Sequence, residues 1–353
     1  MKKTLLLLVA IFSLATATSS VKANPRFAFR TGLRCENCHV NPTGSLLRKE
    51  YGVNYGRDEI TFEATRDYNQ LKDFSNQLAG GTFSFGTDIR LAYNVQPDTT
   101  SRNAFTQQEV NLYAGLRVNK ALTLAYTYMT GGSEFYGLAH SVLPLNGFVK
   151  LGQFIPHYGI KTYDHFVVPT DFGLELGIQP GIFNLTLGAF NGSGGASDND
   201  TYKAFNARAE AILDAGDVKF NVGASGYTNR TGGRRQFLYG GFGAVSFLER
   251  FTLWADANLI LEENIAAGDA NARHGRLLTA EFYALVITGV DLRLTYNFLD
   301  SDIEVLGDAS SQVIIGVEFF PLAGLELQPQ FVINTGTSNI STNQFNLIFH
   351  FYL

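Results

Sequence analysis

The chain has 353 residues, 45% of them hydrophobic and 17% charged, with 27 Lys and Arg against 32 Asp and Glu. An acidic balance of this kind excludes nucleic acid as a partner, and two cysteines exclude a disulfide framework as what holds the fold together. Residues 1–23 read as a signal peptide: a Lys2-Lys3 start, the apolar run "TLLLLVAIFSLA", too short to span a bilayer, and Val21-Lys22-Ala23 as a small-residue cleavage site. The protein is therefore expected to be exported. Cleavage after Ala23 removes three of the 27 bases, leaving 24 against 32 acids, a formal charge of −8.

Residues 24–80 contain both cysteines. Cys35-Glu36-Asn37-Cys38-His39 fits Cys-x-x-Cys-His, the attachment signature of c-type haem. Two thiols at this spacing can each bond one porphyrin vinyl group, and the next residue then sits under the iron, so His39 is the expected proximal ligand. A small disulfide leaves His39 unexplained. A zinc site needs more ligands than one Cys pair and a His supply, and a thioredoxin-like pair needs a βαβ setting that the flanking residues lack. A short amphipathic helix is expected around 46–51, ended by Gly52, with a tether beyond it.

From residue 81 onward the hydrophobic period is two. In "VDLRLTYNF", Val290, Leu292, Leu294, Tyr296 and Phe298 alternate with Asp291, Arg293, Thr295 and Asn297, which puts an apolar face on one side of a strand and a polar one on the other. Sixteen strands are predicted, at 81–95, 104–118, 121–130, 133–142, 147–155, 171–178, 181–191, 202–214, 217–228, 236–246, 250–261, 275–286, 289–299, 312–320, 324–334 and 343–353. The connections alternate: "NK", "LPLN", "QPG", "DAGD", "LER", "TG" and "PLAG" are short, whereas "NGSGGASDNDT", "EENIAAGDANARH" and "LDSDIEVLGDASS" are long and polar. A soluble sandwich has no reason for such two-sidedness, but a bacterial outer-membrane barrel has short periplasmic turns and long outer loops. The final strand agrees, since Phe345, Leu347, Phe349, Phe351 and the last residue, Leu353, share one face. The fold class expected is all-β: a transmembrane outer-membrane β-barrel of about 16 antiparallel strands over 81–353, in the outer membrane of a Gram-negative-type bacterium.

The polar face carries Asp88, Arg90, Glu109, Arg117, Arg208, Glu210, Asp256, Glu281, Asp291, Arg293 and Glu326. Lipid penalises such charges by a few kcal/mol near the midplane, so they must face the lumen, which in a sixteen-stranded barrel is wide enough for water. The 41 residues of 40–80 hold too little apolar material to enclose a haem by themselves. The haem segment is therefore expected to dock in or against the lumen and to borrow its walls. For the sixth iron position the candidates are His157 and His165, in "FIPHYGIKTYDHFVVP", a loop that could fold inward, and His350, which should point inward near the periplasmic rim. A water-bound or open position competes with all three. Net acidic outer loops favour cations at the mouth, and Arg230, Arg234 and Arg235 could hold lipopolysaccharide phosphates.

With "FAFRTGLRCENCH" directly after a signal peptide and a barrel running to the C-terminus, the chain resembles the fused outer-membrane cytochrome–porins of iron-oxidising and related electron-exchanging bacteria. At residue level Cys35, Cys38 and His39 carry the resemblance; "LGQFIPHYG" is similar to a strand-and-loop segment of some anion-selective porins. The family implies electron transfer through the outer membrane, between periplasmic cytochromes and an extracellular redox partner such as Fe(II), using one covalent haem c. The residues themselves point the same way: one haem carries one electron, and no nucleophile, metal triad or Gly-rich cofactor loop accompanies it. The alternatives are a diffusion porin with a structural or sensory haem, and a haem peroxidase-like enzyme.

Overall fold

Strand side chains alternate between two environments, and the burial pattern reports which is which. In "LTLAYTYM" the side chains of Leu124, Tyr126 and Tyr128 face outward, 37–50% exposed, while Thr123, Ala125, Thr127 and Met129 are buried. The same split, apolar out and polar in, recurs around the molecule: Leu292 and Leu294 are exposed and Asp291 is buried. An apolar exterior with a polar interior suits lipid outside and not a packed soluble core.

The computed structural model describes residues 25–353 apart from 45, 67–73, 97–101, 131, 162–167, 196, 265–271 and 337–342. After a two-residue strand β1 (Gln77–Leu78), the strands are β2 (Phe83–Gln96), β3 (Arg102–Arg117), β4 (Leu122–Met129), β5 (Gly132–Leu143), β6 (Gly147–Phe154), β7 (Asp171–Ile178), β8 (Phe183–Phe190), β9 (Ala204–Ala215), β10 (Val218–Thr231), β11 (Arg234–Phe247), β12 (Phe251–Asn264), β13 (Arg273–Ile287), β14 (Val290–Asp300), β15 (Ser310–Leu322), β16 (Leu325–Gly336) and β17 (Gln344–Tyr352). From β2 to β17 each pairs antiparallel with its neighbour in sequence, and β17 returns to β2, with Phe351 opposite Ile89 and Phe349 opposite Leu91. The sheet is thus a closed sixteen-stranded barrel, the arrangement that satisfies every backbone group in hydrocarbon. Each strand end lies within three residues of the position expected from the sequence. Outward aromatics gather toward both ends, as Phe247, Phe251 and Phe282 do beside the short turns and Tyr93 and Phe105 beside the long loops. Among the described residues no helix is long and apolar enough to cross a membrane.

The lumen is largely filled, as the expected docking of the N-terminal segment requires. Asp88, Glu109, Arg208, Glu210, Asp256, Glu281, Asp291 and Glu326 do point inward, but each is at most 8% exposed, and several are paired, as in Arg208–Glu210 at 2.9 Å and Arg293–Glu281 at 2.5 Å. Two stretches fill the space between them. Residues 25–66 enter from the short-turn end as four short helices, α1 (Arg26–Thr31), α2 (Cys35–Cys38), α3 (Glu50–Asp58) and α4 (Glu63–Arg66), and residues 155–161 fold in after β6. Arg117 is the exception: it lies at the rim and donates to the Gly80 carbonyl at 2.9 Å.

Candidate functional site

The site is the plug formed by 25–66, and its local structure follows from a few residues. One helical turn, α2, carries Cys35 and Cys38 at i and i+3, which places both thiols on one face. The Asn37 side chain accepts from the Arg34 N–H at 3.1 Å, and the His39 N–H closes the turn on the Cys35 carbonyl at 2.9 Å. The chain then doubles back. His39 bridges Arg48, and the Lys49 N–H bonds the Cys38 carbonyl at 2.8 Å. The reversal is made by Asn41-Pro42-Thr43-Gly44: Asn41 Oδ1 accepts from the Thr43 N–H and hydroxyl, and the Gly44 N–H reaches the Asn41 carbonyl at 2.9 Å. Gly44 needs its positive φ of 80° at that place.

Gly52 does not end the helix as the sequence suggested; α3 runs through it to Asp58. A Cβ at Gly52 would lie 2.4 Å from the Cys38 carbonyl oxygen. The glycine is there because α3 lies directly on the haem-type motif, and this contact outweighs its low helix propensity.

Three ionic anchors fix the plug to the wall. Arg26 is fully buried, its guanidinium between the rings of Phe27 (4.4 Å) and Tyr283 (4.6 Å) and paired with Glu318 and, at 3.6 Å, Asp291. Arg30, one turn on, donates to Asp291 at 2.5 Å. Arg48 meets Asp88 at 3.0 Å and the carbonyl of the terminal Leu353 at 3.0 Å. On the far side the buried Lys150 pairs with Glu175 at 2.7 Å and lies 3.4 Å from Asn41 and Thr43.

The plug and the wall enclose a cavity of about 1540 Å³, counting the part open to solvent. Cys35, Cys38 and His39 line one side of it, and Tyr283, Phe320 and His350, from β13, β15 and β17, line the other. Both cysteines are free thiols. Burial pushes the Cys35 thiol up to about 11 and raises that of Cys38. His39 is 8% exposed, with Arg48, Asp88 and the Leu46 backbone around its ring. Burial, assisted by the Arg48 charge, lowers its pKa to about 3 against the opposing pull of Asp88, so the imidazole is neutral, the form that binds metal.

The distal candidates separate. His350 lines the cavity, but its Nδ1 faces Glu326 at 2.7 Å and its Nε2 faces Asp88 at 2.9 Å, so neither nitrogen is free without giving up a hydrogen bond. His157 lies in the inward loop as expected, yet it lines a second cavity of about 750 Å³, with Nδ1 3.2 Å from Thr186 Oγ1. His165 lies outside the described residues. Sequence reasoning missed Arg26 and Arg30 as anchors, although their i, i+4 spacing was visible, and it missed the Asn-Pro-x-Gly turn.

No family model and no curated relative matches the sequence. Solved structures do. OmpTΔL8, a loop-deletion mutant of the outer membrane protein OmpT of Vibrio cholerae, superposes with a TM-score of 0.57 at 13% identity, over 77% of this chain and 99% of its own. The outer membrane channel DcaP of Acinetobacter baumannii (0.56, 11%, 77% and 97%) and the anion-selective porin from Comamonas acidovorans (0.54, 12%, 77% and 99%) are also similar. The likeness is one of fold, and the share of this chain that it covers matches the size of the barrel, residues 83–352, or 270 of 353. The chain is an outer-membrane β-barrel of porin architecture with a Cys-x-x-Cys-His plug in its short-turn mouth.

Proposed function

We propose that this barrel is an outer-membrane electron conduit, in which Cys35 and Cys38 hold one covalent haem c, His39 is its proximal iron ligand, and electrons pass between a periplasmic cytochrome and an extracellular donor or acceptor, ferrous iron among the candidates. The observation that carries the reading is the joint placement of two unpaired thiols and a buried histidine along one cavity between plug and wall. A bound haem supplies a one-electron couple there. The protein's part is to hold and seal it. The α2 turn presents the thiols, Gly52 lets α3 cover them from the periplasmic side, and Arg34, Arg48 and Arg57 line the same cavity as positive partners for the porphyrin carboxylates.

A diffusion porin is the second reading, favoured by the fold of the similar structures. The buried state of the lumen charges and the two inserted segments weigh against it. Mass spectrometry of the exported protein decides whether the haem exists: the peptide bearing Cys35 and Cys38 is expected to carry one tetrapyrrole, with a reversible reduced-minus-oxidised spectrum. Unmodified thiols in a protein that gives large ion conductance would leave the porin reading standing alone.

A further inference from the structure

Inside the barrel the apolar side chains form two clusters of different reach. The smaller joins Phe29 and Ile160 to Phe242, Trp254 and Tyr283 in the half of the barrel beside the short turns. The larger begins on the plug with Val40, the residue after His39, and with Leu46 and Leu47. It continues through Tyr136, Phe154 and Tyr158 and ends at Phe190 and Tyr227. Phe190 is the last residue of β8 at the long-loop end, and Tyr227 lies near the same end of β10. Three of the rings follow one another closely, with Tyr136 to Phe154 at 5.9 Å between centroids and Phe154 to Phe190 at 5.4 Å, both edge-to-face, and Tyr158 and Tyr227 belong to the same apolar cluster. All five rings are at most 6% exposed.

A polar lumen has no packing need for a continuous apolar column along one side, since its charges already pair across the strands. The column does have the two ends that a conduit needs. Packed protein has the density of an organic crystal, and electron tunnelling falls off less steeply through contiguous bonded and touching atoms than across gaps. The apolar belt is about 25 Å tall, too far for a haem at one mouth to reach the other side by itself.

We propose that the column from Val40 through Tyr136, Phe154 and Tyr158 to Phe190 and Tyr227 is the path by which electrons cross the barrel between the plug and the outer loops. This rests on the conduit reading above. A haem held by Cys35, Cys38 and His39 would supply one electron to the column, and one molecule of a one-electron acceptor outside would take it, with no bond formed or broken.

The test uses the full-length protein in outer-membrane vesicles of native orientation, reduced and then challenged with membrane-impermeant hexacyanoferrate(III). Phe154→Leu/Phe190→Leu keeps the column apolar but removes its central rings. Haem content and oxidation by a periplasmic-side cytochrome c are expected to be unchanged, with external oxidation slowed tenfold or more. Phe190→Leu alone, which disturbs packing least, should slow it about threefold. Phe242→Leu, from the smaller cluster, should leave the rate as it is. External oxidation at the wild-type rate in both column variants, or equal slowing by Phe242→Leu, would overturn the proposed path while leaving the conduit intact. A wild-type protein with attached haem but no external oxidation would overturn the conduit reading itself, and the path with it.

Discussion

Replacing Arg26 with Met should release the plug. The guanidinium is completely buried and faces two carboxylates of the wall, Glu318 and Asp291. Asp291 keeps a second partner in Arg30 at 2.5 Å, whereas Glu318 is left with Arg293 at 4.0 Å. Removing one member of a buried ion pair typically costs about 3–5 kcal/mol, because the remaining charge stays desolvated. At about 1.4 kcal/mol per factor of ten, that shifts the docked-to-released balance of residues 25–66 by roughly two to three and a half orders of magnitude. Trypsin reports it directly, since Arg34 and Lys49 are protected only while the plug is seated, and planar-bilayer conductance reports the opened lumen. Neutralising the stranded partner in Arg26→Met/Glu318→Gln should recover more than half of the protection. Digestion and conductance equal to wild type in the single variant would refute the idea that this pair anchors the plug.

Further variants probe the motif and its cover. Gly52→Ala pushes a methyl group against the Cys38 carbonyl and should cost about 1–3 kcal/mol of plug stability, read as a lower melting temperature and less attached haem. Gly56→Ala, whose Cβ would meet only the Tyr352 ring at 3.4 Å, should be close to neutral. In protein made without haem, the partly buried Cys35 thiol, pushed up to about 11, should react with iodoacetamide very slowly at pH 7 and progressively faster up to pH 11; fast labelling at neutral pH would contradict that shift. His350→Gln should leave the iron's ligand-field spectrum in place, because Glu326 and Asp88 already occupy both ring nitrogens; a change of spin state would identify His350 as a ligand after all.

The barrel was legible in the sequence because a half-lipid, half-lumen strand imposes a period of two on every segment, and because turn length distinguishes the two rims. The strand at Leu122–Met129 follows from that rule alone. The inward direction of Asp291, Glu326 and His350 followed as well. Entry of the haem segment and of the loop after β6 into the lumen was expected too, but not the side chains they meet there, since period two says which way a side chain points and nothing about its partner. Arg26 shows the difference: in sequence it is one base shortly after the expected signal peptide, and in the fold it is a buried cation held by residues about 260 to 290 positions away. Gly52 misled for a related reason, because a glycine read locally ends a helix whereas here it allows close contact with a segment fourteen residues earlier. The Cys-x-x-Cys-His motif needed no fold to be seen. Its cavity, however, is built from both ends of the chain, with Cys35 on one side and His350 on the other.

A haem held in this mouth as proposed must exchange electrons with both aqueous sides. The most direct measurement places the purified protein in sealed liposomes loaded with reduced cytochrome c and adds an impermeant one-electron acceptor outside. Oxidation of the enclosed cytochrome is expected, lost in His39→Ala and proceeding without leakage of small ions. Enclosed cytochrome that stays reduced beside wild-type protein with its haem attached, or oxidation that persists in His39→Ala, would contradict it.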